Sequence, residues 1–412
     1  MDSSVVHVLE RAVNFIPDKD VRAKVSPREL VVAVVLGCFR DGEIRSLANR
    51  RLAMIALLDK SITRGAWWSR LAAKRLSGFL ASLIVGLLQS GMVQLGIAPG
   101  ILAALGVTGI YFLDSTLSSL PDAAAGEYPG PRNNANPAAV KCHVLWSLFS
   151  GAVAWHKITP GTNHDNTEFP PLSMLRGKLV IFDLGYWDFE RFADLINAGV
   201  KFLSRVRSDA VVTIVEVVSG LPKKLVGRSL ASITHGKANV VEVTGAFGAS
   251  GTIFKARVIG FWNPGSGAFH WYTTNLTVAA ALIYPLYRLR WQIELAFKAC
   301  KTTLRLADFT TTNATIIRNL IMANIAAMLF AQPLARTASA EFDCEQQAAV
   351  SVQRAAKVVV SVALELGRCL IHRTTEARDA LIAKMRLFAP ELFDPNYRHR
   401  ETSLARVMHQ LE

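Results

Sequence analysis

The chain has 412 residues, 51% of them hydrophobic, and its 46 Lys and Arg outnumber 32 Asp and Glu to give a formal net charge of +14. That length exceeds one simple core and predicts several domains, and the basic excess favours a polyanionic partner, nucleic acid or an anionic membrane surface. The five cysteines (Cys38, Cys142, Cys300, Cys344 and Cys369) are scattered, odd in number and without a CxxC pair. This pattern excludes a disulfide framework or a zinc-finger spacing and fits a reduced, cytoplasmic protein.

The opening stretch, MDSSVVHVLERAVNF, carries acids early and has no basic segment ahead of an apolar run, so no signal peptide is expected. Residues 1–105 read as a helical DNA-binding region. EIRSLANRRLAMIALLD (43–59) has helical periodicity, KSIT interrupts it, and Thr63 offers an N-cap to RGAWWSRLAAKR (64–75). Two short helices around a tight turn, the second placing Arg64, Arg70 and Lys74 beside Trp67 and Trp68, predict a DNA-docking helix-turn-helix. GMVQLGIAPGILAALGVTGIYFL (91–113) is long enough to cross a bilayer. Pro99-Gly100 and further glycines interrupt it, so no membrane association is expected.

From residue 106 to 208 the texture is that of a mixed α/β core, first part. Strands are predicted at 106–116 and 178–186, a hairpin at 138–149 and 152–159, a helix in WDFERFADLINAG closed by Gly199, and a strand at 200–207. Residues 209–273 form a β-rich insertion containing Trp262 and Trp271. The second part of the core follows at 274–332, and 333–412 is a C-terminal helical region. Its longest helix, 345–373, has an apolar stripe of Ala349, Val352, Ala356, Val359, Val360 and Ala363, broad enough to bury against its own domain or a partner helix.

The chemistry concentrates in YRLRWQIELAFKACK (287–301). On an α-helix, Tyr287, Arg290, Glu294 and Lys301 fall within about 60° of one another. They lie beside a face of Leu289, Ile293, Ala296 and Cys300. Asp114 and Asp183 each stand at the end of an apolar strand. Two strand acids facing a helix acid suit hard divalent cations, which take oxygen ligands. Two such ions about 3.5–4 Å apart stabilise the attacking and leaving oxygens of phosphoryl transfer. His143, His156 and His164 show no zinc spacing, and the absence of a P-loop or GxGxxG argues against a nucleotide cofactor.

Tyr287, Arg290, Glu294 and Lys301 match Y-x2-R-x3-E-x6-K, the signature of bacterial DDE transposases of insertion sequence family 4. DST around Asp114, FDLGYWDFERF around Asp183, KFLSRVR after it and TTNL (273–276) are also similar to that family, so the resemblance spans roughly residues 40–335. It implies an RNase H-like mixed sheet with an all-β insertion. Asp114, Asp183 and Glu294 would be the catalytic residues and the ligands of two Mg²⁺ ions, with Mn²⁺ able to replace them. Tyr287, Arg290 and Lys301 would contact DNA ends, and an insertion tryptophan would stack on a flipped base. Trp262 and Trp271 both qualify, with core packing as the alternative for each; Trp271 is the DNA-contact candidate. The implied partners are double-stranded DNA, at transposon ends and target, and a second copy of the chain in a homodimer on DNA. One residue departs from the pattern: Leu184 replaces the arginine of the usual DRGY. The departure leaves a catalytically silent DNA-binding regulator as the alternative function.

Overall fold

The computed structural model describes residues 4–17, 23–39, 46–89, 99–131, 136–148, 152–248, 254–302, 309–339 and 352–393. In the N-terminal region lie α1 (Ser4–Val13), α2 (Pro27–Leu36), α3 (Leu47–Leu58), α4 (Arg64–Leu71), α5 (Lys74–Gln89) and α6 (Pro99–Leu105). The central region holds β1 (Ile110–Ser119), β2 (Ala139–Ser147), β3 (Ala152–Pro160), α7 (Leu172–Leu175), β4 (Leu179–Phe182), α8 (Phe189–Asn197) and β5 (Lys201–Arg205). The insertion supplies β6 (Val212–Ser219), β7 (Val240–Phe247), β8 (Phe254–Asn263) and β9 (Ala268–Thr274). Five helices complete the described chain: α9 (Ile283–Arg288), α10 (Trp291–Thr302), α11 (Ala314–Ser339), α12 (Val352–His372) and α13 (Thr375–Phe388).

All nine strands form one sheet in the order β3-β2-β1-β4-β5-β9-β8-β7-β6. β1, β2 and β3 pair antiparallel, while β4 and β5 continue parallel from β1. This is the mixed α/β sheet expected of an RNase H-like core. The insertion strands extend the same sheet, because β9 pairs antiparallel with β5.

Side-chain alternation along the strands feeds two cores. Ile110, Phe112, Leu179 and Ile181 face a large aliphatic core shared with the helices. Leu113, Val180, Phe182 and Phe202 face a smaller aromatic one, where Phe192 stacks between Phe182 and Phe254. The hub of the larger core is α11, whose Ile316, Ile317, Ala323, Ala327 and Phe330 are fully buried. It packs against α5, α2 and α12, so helices from both ends of the chain close around it. One stretch of it, Ala314–Ala331, is long and apolar enough to cross a membrane, and 83% of that stretch is buried in the chain's own core.

Two expectations change. The sequence 64–75 is not one helix: α4 ends at Leu71, and Lys74 opens α5. Thr63 does cap α4, its side chain accepting from the Ala66 N–H. The stripe on α12 is buried within this chain, with Ala356, Val359 and Ala363 in the interior, so it is not a free face for a partner helix. Ala349 lies outside the described residues, as does Cys344. The apolar run 91–113 is interrupted as expected, its described part divided between α6 and β1.

Candidate active site

β1 and β4 are neighbours with Leu113 paired to Phe182. The next residue along the chain from each is an aspartate, which brings Asp114 beside Asp183. Asp183 stands directly after β4 and opens a 3-10 turn, Leu184–Tyr186. Asp114 is not at a strand end as expected; β1 continues to Ser119.

The third carboxylate comes from α10, whose Ile293 and Ala296 are buried and hold Glu294 over the sheet. The stretch 287–301 is two helices rather than one. At the junction, Leu289 N–H donates to Leu286 O at 3.1 Å and Arg290 N–H to Tyr287 O at 3.0 Å, the tighter i→i+3 pattern. The polar stripe survives this tightening. Arg290 Nη1 donates to Asp114 Oδ2 at 2.6 Å and Nη2 to Glu294 Oε1 at 2.5 Å. Tyr287 donates its hydroxyl to Asp183 Oδ1 at 3.4 Å. Lys301 joins Asp114, Asp183, Arg290, Glu294 and Phe297 in lining an open cleft of about 510 Å³.

Three carboxylates (Asp114, Asp183 and Glu294) and three cations (Arg290, Lys298 and Lys301) line this cleft. Burial raises the Asp114 pKa to about 6; Arg290 and the Ser115 N–H oppose the rise, and Asp183 and Glu294 add to it. Burial pulls the Arg290 pKa down, but Asp114, Tyr287, Asp183 and Glu294 outweigh it and leave the pKa raised. Burial, reinforced by Asp183, raises the Tyr287 pKa, so its phenol stays a donor. Burial lowers the Lys301 pKa. Arg290 bridges two of the three carboxylates, Asp114 and Glu294, while its buried Nε has no hydrogen-bond partner. The donor chemistry therefore fits hard divalent cations, although among the described residues no three acidic, His or Cys side chains are gathered tightly as a metal cage. Arg290 stands between two of them instead.

The remaining DNA-contact candidates lie elsewhere. Arg64 and Lys74 are exposed on α4 and α5. Arg70 donates Nη1 to Val25 O at 2.6 Å, a packing role. Trp67 is buried and bonds Leu47 O, while Trp68 is 48% exposed. His235 stacks on Trp262 with centroids 4.0 Å apart. Trp271 covers Gly260 so closely that a Cβ there would lie 2.5 Å from its ring. Neither tryptophan lines the cleft. Leu184, half-buried, packs against the aromatic core.

Sequence reasoning missed the supports of the segment that leads into α9 and α10. Asn275 Nδ2 donates to Val200 O at 2.8 Å and its Oδ1 accepts from Phe202 N–H at 2.9 Å, so a side chain continues the β5–β9 ladder after β9 has ended. Arg257 on β8 clasps Glu242 on β7 through Nε at 2.6 Å and Nη2 at 3.0 Å, and Nη1 donates to Leu276 O and Val278 O. This clamp ties the insertion to the segment leading into α9. TTNL was the visible signal for Asn275; Arg257 left none.

Three carboxylates on a mixed sheet, one of them brought by a facing helix, define a DDE-type domain. The chain belongs to the transposase DDE domain family, whose profile matches residues 106–330. That family normally uses divalent metal ions. Among curated proteins, the transposase for insertion sequence element IS231E of Bacillus thuringiensis subsp. finitimus is 26% identical over 242 residues, 48% of this chain and 51% of that protein. The transposase for IS1151 of Clostridium perfringens is 23% identical over 238 residues, 47% of this chain and 50% of that protein. The chain thus spans about half the length of these curated relatives in its matches. Among solved structures, the piggyBac transposase synaptic complex with hairpin DNA aligns over 93% of this chain and 82% of that one, at 10% identity and a TM-score of 0.45.

Proposed function

We propose that the protein is a DNA transposase that binds the terminal inverted repeats of an insertion sequence, cleaves one strand to free a 3′-hydroxyl and joins that end to new DNA. The observation that carries this reading is the meeting of Asp114, Asp183 and Glu294, from β1, the end of β4 and α10, at one cleft with a basic rim. Asp114, Asp183 and Glu294 would hold two Mg²⁺ or Mn²⁺ ions, which when bound stabilise the attacking and leaving oxygens. The chain's own residues orient the DNA. Lys301 offers a point charge to a backbone phosphate, and the fork of Arg290 matches phosphate as well as it matches carboxylate. Tyr287 keeps its proton and donates a single bond. Arg64 and Lys74, exposed on neighbouring helices, supply phosphate contacts away from the cleft, and Trp271 or Trp262 would meet an unpaired base only after rearrangement of its present packing.

Joining two ends requires two protomers on DNA, a homodimer held through surfaces other than the buried stripe of α12. Leu184 packs into the aromatic core and all three carboxylates are present, which favours an active enzyme over a silent regulator.

The test uses duplex DNA carrying the inverted repeats that flank the open reading frame. Incubation with Mg²⁺ should nick the strand whose 3′ end borders the element, with no nick in EDTA. Specific binding without cleavage in either Mg²⁺ or Mn²⁺ would support the regulator instead.

A further inference from the structure

We infer that Asp165 is a positioning residue for the carboxylate pair, and that the glycine of D-L-G-Y is there to admit its side chain. The inference rests on the cleft being the catalytic site. Asp165 lies in the loop after β3 and reaches both strands that carry the aspartates. Ser115, the residue after Asp114, donates its hydroxyl to Asp165 Oδ1 at 2.9 Å, while its backbone N–H donates to Asp114 Oδ1 at 2.8 Å. One residue thus grips Asp114 with its backbone and Asp165 with its side chain. On the other side Asp165 rests against Gly185, two residues past Asp183. A Cβ on Gly185 would lie 2.7 Å from Asp165 Oδ2, and its next contacts, at 3.3 and 3.4 Å, would also be Asp165 atoms. Gly185 is not among the glycines with positive φ. Close approach, not backbone freedom, is what the glycine provides.

The carboxylate is itself held. Lys141 on β2 places Nζ 3.1 Å from Asp165 Oδ1 and donates to Asn163 O at 2.7 Å. Behind it, the fully buried His143 bonds the Tyr186 hydroxyl through Nδ1 and Thr159 Oγ1 through Nε2, each at 3.0 Å. Tyr186 closes the same 3-10 turn that Asp183 opens. Burial lowers the His143 pKa, so its ring serves as a neutral strut across β2, β3 and the turn. The network therefore fixes the spacing of Asp114 and Asp183 from beneath. Partners that orient metal ligands from outside typically change affinity or activity by about 10- to 100-fold when removed.

Mn²⁺ binding to the free protein, followed by electron paramagnetic resonance, tests the role without relying on turnover. Asp165→Asn should weaken binding about tenfold while the far-ultraviolet circular dichroism stays unchanged. Ser115→Ala should behave alike, and Ser115→Thr, which keeps the hydroxyl, should restore it. In urea denaturation without metal, Gly185→Ala should destabilise the wild type but have no effect in an Asp165→Ala background. Wild-type Mn²⁺ affinity in Asp165→Asn, or equal cost of Gly185→Ala in both backgrounds, would overturn the inference. A wild-type protein that binds no Mn²⁺ and cuts no end DNA would overturn the catalytic reading, and the positioning role with it; a wild type that cuts DNA while Asp165→Asn is unaffected removes the positioning role alone.

Discussion

Arg257, at the root of the insertion, and Arg290, in the cleft, are alike in burial and differ in satisfaction. Their side chains are 18% and 15% exposed, and each pairs with carboxylate. Arg257 gives two bonds to one glutamate and two to backbone carbonyls, so that each of its three nitrogens is bonded. Arg290 divides its fork between Asp114 and Glu294 on separate elements and leaves Nε unbonded. The difference separates a structural ion pair from a poised one. An arginine with every nitrogen bonded holds the fold together, whereas a partly bonded one between two carboxylates can exchange partners when cations and phosphate arrive.

The sharpest way to break this contrast is at the carboxylates themselves. Replacing Asp114, Asp183 or Glu294 with Ala should lower strand cleavage by about 10³-fold or more, while gel-shift affinity for end DNA changes little. Parallel loss of binding and cleavage would mean that the site is a scaffold like that of Arg257. Next comes stability. Arg257→Ala strands Glu242 with one partner removed and should cost about 3–5 kcal/mol in urea denaturation. Arg290→Ala should cost about 1 kcal/mol, because the cleft is open to water and Asp114 can take up a proton.

A pH series sharpens the comparison further. In the folded protein the Asp114 pKa is raised from 3.8 to about 6, so the fold holds a proton that the unfolded chain releases. The stabilisation is full below the unfolded value and is lost as pH rises through about 6. The wild type should therefore lose on the order of 2 kcal/mol relative to Asp114→Asn between about pH 4 and pH 7 in metal-free buffer. The smallest effect concerns Arg64 and Lys74. Each Ala replacement should reduce the slope of log affinity against log salt by about 1, measured on end DNA and unrelated DNA alike.

The sequence made the cleft legible because its residues follow local rules. Asp114 and Asp183 follow apolar strand residues, and the stripe through Tyr287, Arg290, Glu294 and Lys301 depends on helical spacing that a single tightened turn does not undo. Asp165, His143 and Arg257 stayed hidden because their partners lie on other elements and no spacing rule connects them. The stripe on α12 was visible but ambiguous, since an apolar face states only that something covers it. Here α11 and its neighbours do. The insertion was recognised as β-rich, yet its membership of the core sheet depends on β9 pairing with β5, a contact between strands that have β6, β7 and β8 between them in the chain.

One hydrogen bond carries a consequence for how the chain is made. Ser77 on α5 donates to Asn319 on α11, and the two residues are 242 positions apart. Asn319 in turn donates to Leu71 O at the end of α4. At a synthesis rate of about 5–20 residues per second, roughly 12 to 50 seconds pass between the emergence of these partners. Throughout that interval the apolar faces of the first helices have no α11 to cover them. The nascent N-terminal half must wait, exposed to chaperones and to its own copies on neighbouring ribosomes, until the hub helix leaves the exit tunnel and the helical unit can close.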